Sequence, residues 1–226
     1  MFLLWDFDGT LATRPGGWID ALLSAAHDHG FGSVTAAEIR PHLASGFPWH
    51  TPGDPHTDIS TAEEWWGMLR PVFTGAYRAA GLDDEAPSEI AAAVRDTYLD
   101  PDAWESYDEA AETLAGLADR GWEHAILSNH VPELPGLVRD LRLDDHFEAI
   151  YTSGTIGYEK PHPAIFEHAL DRLGDGPVRM IGDSVSADVE GARRVGIPAV
   201  LVHSEDESVQ YRCERLAEIP SELQRI

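Results

Sequence analysis

Hydrophobic positions recur with two different periods along this chain of 226 residues. Met1-Phe2-Leu3-Leu4-Trp5 is a continuous apolar run that ends at Asp6 and Asp8, followed by Gly9-Thr10. Such a run predicts a buried strand whose C-terminal tip carries polar chemistry. A helical period then takes over and holds to about Asp100. Ile19, Leu22, Leu23 and Ala26 form a first apolar stripe ended by Gly30, and a second short helix is expected over Ala36 to Leu43. Trp65, Met68, Leu69, Val72, Phe73, Ala76 and Tyr77 mark one wide buried face of a long helix. Pro71 should kink it, with Gly67 at i−4 softening the clash. Ile90, Val94, Thr97 and Tyr98 stripe one more helix, closed by Asp100-Pro101. The stretch 44–59, with Phe47-Pro48-Trp49-His50 and His56, is a loop long enough to be functional.

After Asp102 strands and helices alternate. Strands are expected at Trp122 to Leu127, Phe147 to Tyr151, Val178 to Ile181 and Pro198 to Val202. Between them lie helical stripes: Ala110, Leu114 and Leu117; Leu134, Leu137, Val138 and Leu141; Ile165, Phe166, Ala169, Leu170 and Leu173, opened by Pro163; and Asp188 to Val195. This rhythm predicts an α/β fold, a doubly wound parallel sheet with helices on both faces and functional residues at strand C-termini. Asp6, Ser128 and Asp183 all fall at such ends. The helical region reads as an insertion, giving a core of residues 1–13 and 102–226 and an inserted helical domain of residues 14–101.

Charge narrows the partners. With 16 basic and 40 acidic residues the net charge is −24, which argues against nucleic acid and anionic membrane. We read it as a solvated acidic surface. An anionic substrate would then need local positive charge, from a metal or a placed lysine. The basic residues are 15 Arg and one Lys, Lys160, in the stiff stretch Tyr158-Glu159-Lys160-Pro161-His162-Pro163. A compact ammonium fits a crowded site between carboxylates where the wide guanidinium fork does not. No apolar run approaches the roughly 18 residues of a membrane span, and the single Cys213 suits a reducing compartment; a cytoplasmic monomer or homodimer is expected.

Four short motifs occur in order: Asp6-Phe7-Asp8-Gly9-Thr10, Ser128-Asn129, Lys160-Pro161, and Gly182-Asp183-Ser184 with Asp188. Together they resemble the motifs of the haloacid dehalogenase superfamily, over essentially the whole chain. The helical insertion stands in the place of that family's type 1 cap.

The resemblance implies a Rossmann-like core and a phosphatase acting on a small phosphorylated metabolite. Asp6 would attack phosphorus to give an aspartyl-phosphate, and Asp8 would serve as general acid, then base. Asp8 favours phosphate transfer over carbon–halogen hydrolysis, because a halide leaves without a proton. Mg²⁺ would be held by Asp6, Asp8 through its carbonyl, and Asp183, with Asp188 behind them. Thr10, Ser128, Asn129 and Lys160 would contact the phosphate. Trp65 is expected in the core, whereas Trp49, His50 and Trp66 are candidates for substrate specificity, Trp49 and Trp66 by closing over the leaving group. His130 and His162 are not assigned to catalysis. Competing readings are a 2-haloacid dehalogenase, a sugar phosphomutase and, from another class, a receiver-like regulatory phosphoacceptor. Phosphonoacetaldehyde hydrolysis requires a cap lysine, and residues 14–101 hold none.

Overall fold

The computed structural model describes residues 1–59 and 61–226. Its strands are β1 (Phe2–Trp5), β2 (Ala12–Thr13), β3 (Glu105–Ser106), β4 (Glu123–Ser128), β5 (Ala149–Thr152), β6 (Val178–Gly182) and β7 (Ala199–Leu201). Five of them form a parallel sheet in the order β5-β4-β1-β6-β7. The chain thus starts in the middle strand, builds outward on one side and then crosses to the other. The point where that order reverses lies beside β1, the place where parallel sheets open a crevice at their C-terminal ends.

Alternation along β1 explains its buried, uninterrupted apolar run. Leu3 and Trp5 join one apolar cluster, and Leu4 joins the other on the opposite face. Helices α1 (Gly17–Asp28), α2 (Ala36–Ile39), α3 (Ala62–Ala79) and α4 (Ala86–Leu99) lie between β2 and β3. They share the first cluster with α5 (Ala110–Ala118) and α6 (Leu134–Asp140), for example through Trp65, Phe73 and Leu114. The other face is covered by α8 (Pro163–Leu170) and α9 (Gly191–Arg194), which contribute Ile165, Phe166 and Ala192; the short α7 (Ser153–Ile156) precedes them and α10 (Ile219–Leu223) ends the chain.

Local chemistry explains several boundaries. Helix α3 begins at a reciprocal cap in which the Glu64 N–H donates to Thr61 Oγ1 (3.2 Å) and the Thr61 N–H donates to Glu64 Oε2 (3.0 Å). It continues through Pro71 to Ala79. The expected helix over Ala36 to Leu43 splits into α2 and a 3₁₀ turn at Arg40–Leu43, where Pro41 stands in the first turn. The loop 44–59 contains one 3₁₀ turn, Pro48–His50. Where periodicity predicts a helix from Asp188, the chain first forms a π-helical turn, Val185–Glu190, before α9. That wider turn follows the site strand directly, a common setting for such turns. The short antiparallel ribbon of β2 and β3 has no counterpart in the periodicity, since two residues per strand are too few to show one.

Candidate active site

Asp6 leaves the tip of β1 with its N–H bonded to Ile181 O (2.8 Å), so the β6 ladder fixes its backbone. The chain then folds back on itself. Gly9, at φ 84°, donates to Ala12 O (2.8 Å), and the N–H groups of Leu11 and Ala12 both reach Phe7 O. Glycine is required at this position for two reasons. The left-handed backbone disfavours a side chain, and a Cβ would stand 2.5 Å from Asp183 Oδ2.

Lys160 arrives from the loop after α7. The Asn129 amide clamps its backbone from both sides: Lys160 N–H donates to Asn129 Oδ1 (2.6 Å) and Asn129 Nδ2 donates to Lys160 O (2.9 Å). The Lys160–Pro161 bond is cis. The ammonium then meets Asp188 Oδ1 at 2.6 Å and Asp6 Oδ1 at 2.9 Å. Asp188 Oδ2 accepts from the Ser184 N–H (3.0 Å), so both of its oxygens are occupied. Gly182 permits this arrangement, because a Cβ there would overlap the Asp188 carboxylate.

Electrostatics sort these groups. Burial opposes a charge on Lys160, but Asp188 and Asp6 outweigh it and raise its pKa above the ordinary lysine value. Burial also pushes Asp188 upward, while the ammonium pulls it back. At 2.6 Å we take the pair as ionised, since Asp188 also accepts a backbone N–H. Asp8 is different. Its side chain opens to solvent yet stands in a cleft walled by protein, and its pKa is pushed up to about 7, by burial first and then by Asp6 and Asp183. A carboxyl that holds a proton near neutrality is suited to general acid catalysis. Asp183 is raised as well, by burial and then by Asp6.

The cleft over these groups encloses about 350 Å³, and its lining includes Asp6, Asp8, Ser128, Asn129, Asp183 and Trp49. Four expected site residues lie outside this lining, one of them, Lys160, in direct contact with Asp6. Thr10 is fully buried and its hydroxyl donates to Asp183 Oδ1 (3.4 Å), so it steadies Asp183 instead of facing a ligand. Lys160 lies outside the lining and reaches the cleft only through Asp6. Trp66 is buried, with its indole N–H donating to Glu133 Oε1 (3.1 Å), which Arg95 also pairs at 2.7 Å. His50 lines a separate groove and accepts the Phe47 N–H. Trp18, Tyr98 and His130 line the cleft although sequence patterning does not mark them as site residues. Tyr98 belongs to a helical stripe, and Trp18 stands one residue before the first stripe. Neither position signals which way its helix faces. The His130 ring is buried against Phe7, Tyr98 and Trp104, and burial lowers its pKa to about 4, so it is neutral at pH 7.

Residues 2–196 match the family model described as haloacid dehalogenase-like hydrolase. The chain belongs to this family. Among curated relatives, haloacid dehalogenase-like hydrolase domain-containing protein 3 of Mus musculus is 30% identical over 208 residues, 88% of this chain and 80% of the relative. The phosphoserine phosphatase of Thermus thermophilus is 34% identical over 170 residues, 74% of this chain and 66% of the relative. In structure, the haloacid dehalogenase-like hydrolase is similar to the HAD-hydrolase YfnB from Bacillus subtilis bound to magnesium. The TM-score is 0.75 at 18% identity, over 99% of this chain and 98% of that one, which shows a shared fold. Among the described residues no helix is long and apolar enough to cross a membrane.

The donor set suits a small hard cation. Asp6, Asp183 and Asp188 each offer a carboxylate oxygen, all within 4.8 Å of one another. With Asp188 held by Lys160 and Ser184, Asp6 and Asp183 are the two carboxylates left to share an ion. One ammonium set against this many carboxylates leaves negative charge that a divalent cation would balance.

Proposed function

We propose that this hydrolase is a Mg²⁺-dependent phosphomonoesterase acting on a small phosphorylated metabolite through an aspartyl-phosphate on Asp6. The observation that carries this reading is the asymmetry of the two carboxyls at the tip of β1. Asp6 Oδ1 is held by Lys160 Nζ (2.9 Å) and by the Phe7 N–H (2.8 Å), which orients the group and leaves Oδ2 to attack phosphorus. Two residues on, Asp8 holds a proton with a pKa of about 7 and faces the same cleft.

In the first step Asp6 Oδ2 forms a bond to phosphorus as the ester P–O bond breaks, and the Asp8 proton passes to the departing alkoxide. In the second, Asp8 takes a proton from water, the water oxygen bonds to phosphorus, and inorganic phosphate leaves as Asp6 is regenerated. Ser128, at the end of β4, and the Asn129 backbone N–H would bind phosphate oxygens, a role their shared position in the cleft lining supports. Mg²⁺, held by Asp6, Asp183 and the Asp8 carbonyl, would screen the charge between nucleophile and phosphate. Residues 14–101 serve as a cap joined to the core at the β2–β3 ribbon, closing over the cleft to exclude water. The named phosphatase activity of the Thermus relative supports the same reaction class.

Phosphate release with Mg²⁺ over a metabolite panel tests the proposal. Asp6→Asn and EDTA should each abolish turnover, and Asp8→Asn should lower kcat by about 10²–10⁴. Undiminished hydrolysis by Asp6→Asn would refute it.

A further inference from the structure

We propose that the leaving alcohol of the preferred ester carries no charge and presents a flat apolar face, an aryl phosphate being the simplest case. This builds on the phosphomonoesterase reading. The part of the cleft beyond the carboxylates is an aromatic wall. Trp18 stacks on Tyr98 with ring centroids 3.9 Å apart and planes 14° from parallel, and Trp49 stands 6.0 Å from Trp18. The His130 ring and Val131 complete it. The cleft lining contains Asp6, Asp8 and Asp183 and neither lysine nor arginine.

The two buried cations nearby already hold partners, with Arg14 Nε, among the described residues, the one donor of theirs left without one. Lys160 pairs with Asp6 and Asp188. Arg14, also buried, donates to Asp20 Oδ2 (2.9 Å), Gly17 O (2.9 Å) and Thr97 O (3.2 Å). A carboxylate or second phosphate on the leaving group would give up water and find neither lysine nor arginine in the lining to pair with. A flat ring could pack against the half-buried indoles of Trp18 and Trp49 without leaving a charge unpaired. The net charge of −24 disfavours any further negative charge on the leaving group at longer range as well.

The test compares phenyl phosphate with 4-carboxyphenyl phosphate, whose phenols leave with similar ease, at saturating Mg²⁺. kcat/KM should favour phenyl phosphate by more than about tenfold, the size expected when a charged group is denied a partner. A ratio near one, or a preference for the carboxylated ester, would overturn the proposal. Quenching of tryptophan fluorescence by phenylphosphonate and by 4-phosphonobenzoate reads recognition without turnover. If neither ester is hydrolysed but phenylphosphonate alone quenches, recognition stands and the phosphomonoesterase reading fails. Equal binding of the two phosphonates, or binding of neither, counts against the proposal. Trp49→Arg, which places a guanidinium on the wall, should narrow the wild-type ratio; if that variant does not fold, the wild-type comparison decides alone.

Discussion

Lys160 Nζ lies 2.9 Å from Asp6 Oδ1, and this contact employs the one lysine of the chain on the residue assigned to attack. Lys160→Met would leave Asp6 and Asp188 as neighbouring carboxylates without their shared cation. Loss of one partner from a buried ionic cluster costs about 3–5 kcal/mol, so urea denaturation should show a fall of that order, and phosphate release should be lost. Lys160→Arg should not restore activity, because the planar fork does not fit where an ammonium bridges two carboxylates. Wild-type kcat in the arginine variant would contradict this account.

Gly9 sets the space beside Asp183. Gly9→Ala must hold a side chain at φ 84° and place a Cβ 2.5 Å from Asp183 Oδ2. We expect a loss of about 1–2 kcal/mol and a higher Mg²⁺ concentration for half-maximal activity. Gly75→Ala is the control. Gly75 lies within α3, where an added methyl would meet nothing within 4 Å, and alanine there should add about 0.5–1 kcal/mol without changing the Mg²⁺ requirement.

Trp66 and Trp49 separate structure from substrate contact. Trp66→Phe keeps a buried ring but removes the bond to Glu133, and should cost about 1 kcal/mol with KM unchanged. Trp49→Ala strips the cleft wall and should raise KM for aryl esters. Steady-state kinetics beside denaturation curves distinguish the two; unchanged KM in Trp49→Ala for every ester tested would remove Trp49 from the wall.

Glu159, next to Lys160, supplies a pH dependence. It is fully buried with His56 Nε2 3.6 Å away, and burial pushes its pKa up to about 7 while Ser153 and Lys160 pull it back. Burial also lowers His56, so both partners tend to stay uncharged. A carboxyl raised on folding contributes full stability below its unfolded pKa near 4.5 and loses it as pH climbs through about 7. Glu159→Gln should therefore match wild type near pH 4 and exceed it by up to about 3 kcal/mol at pH 8. Thermal melts at the two pH values check the sign; an equal change at both would dismiss it.

The sheet is legible in the sequence because its strands carry short apolar stretches that end in a polar group, as in Met1 to Asp6 or Ala125 to Ser128. Its flanking helices are legible through stripes such as Leu114 and Leu117, both buried in the structure. The aromatic wall is not. Trp18 and Tyr98 sit on α1 and α4, and which face of a docked helix meets the cleft depends on contacts distant in sequence. Trp66 departs from expectation for the same reason. Its place beside the core stripe looks free, but Glu133, 67 positions away, supplies a partner for its N–H. The β2–β3 ribbon and the π-helical turn depend on backbone pairing that residue types do not advertise.

The burial of Lys160 has a practical consequence for anyone handling this protein. The residue is 2% exposed and its amine is engaged by two carboxylates, so the folded chain offers acylating or crosslinking reagents no side-chain amine. Because Pro161 follows it, a lysine-specific protease has no good scissile bond even after denaturation. Labelling of Lys160 by an amine reagent would then report unfolding directly, against a background free of any other lysine.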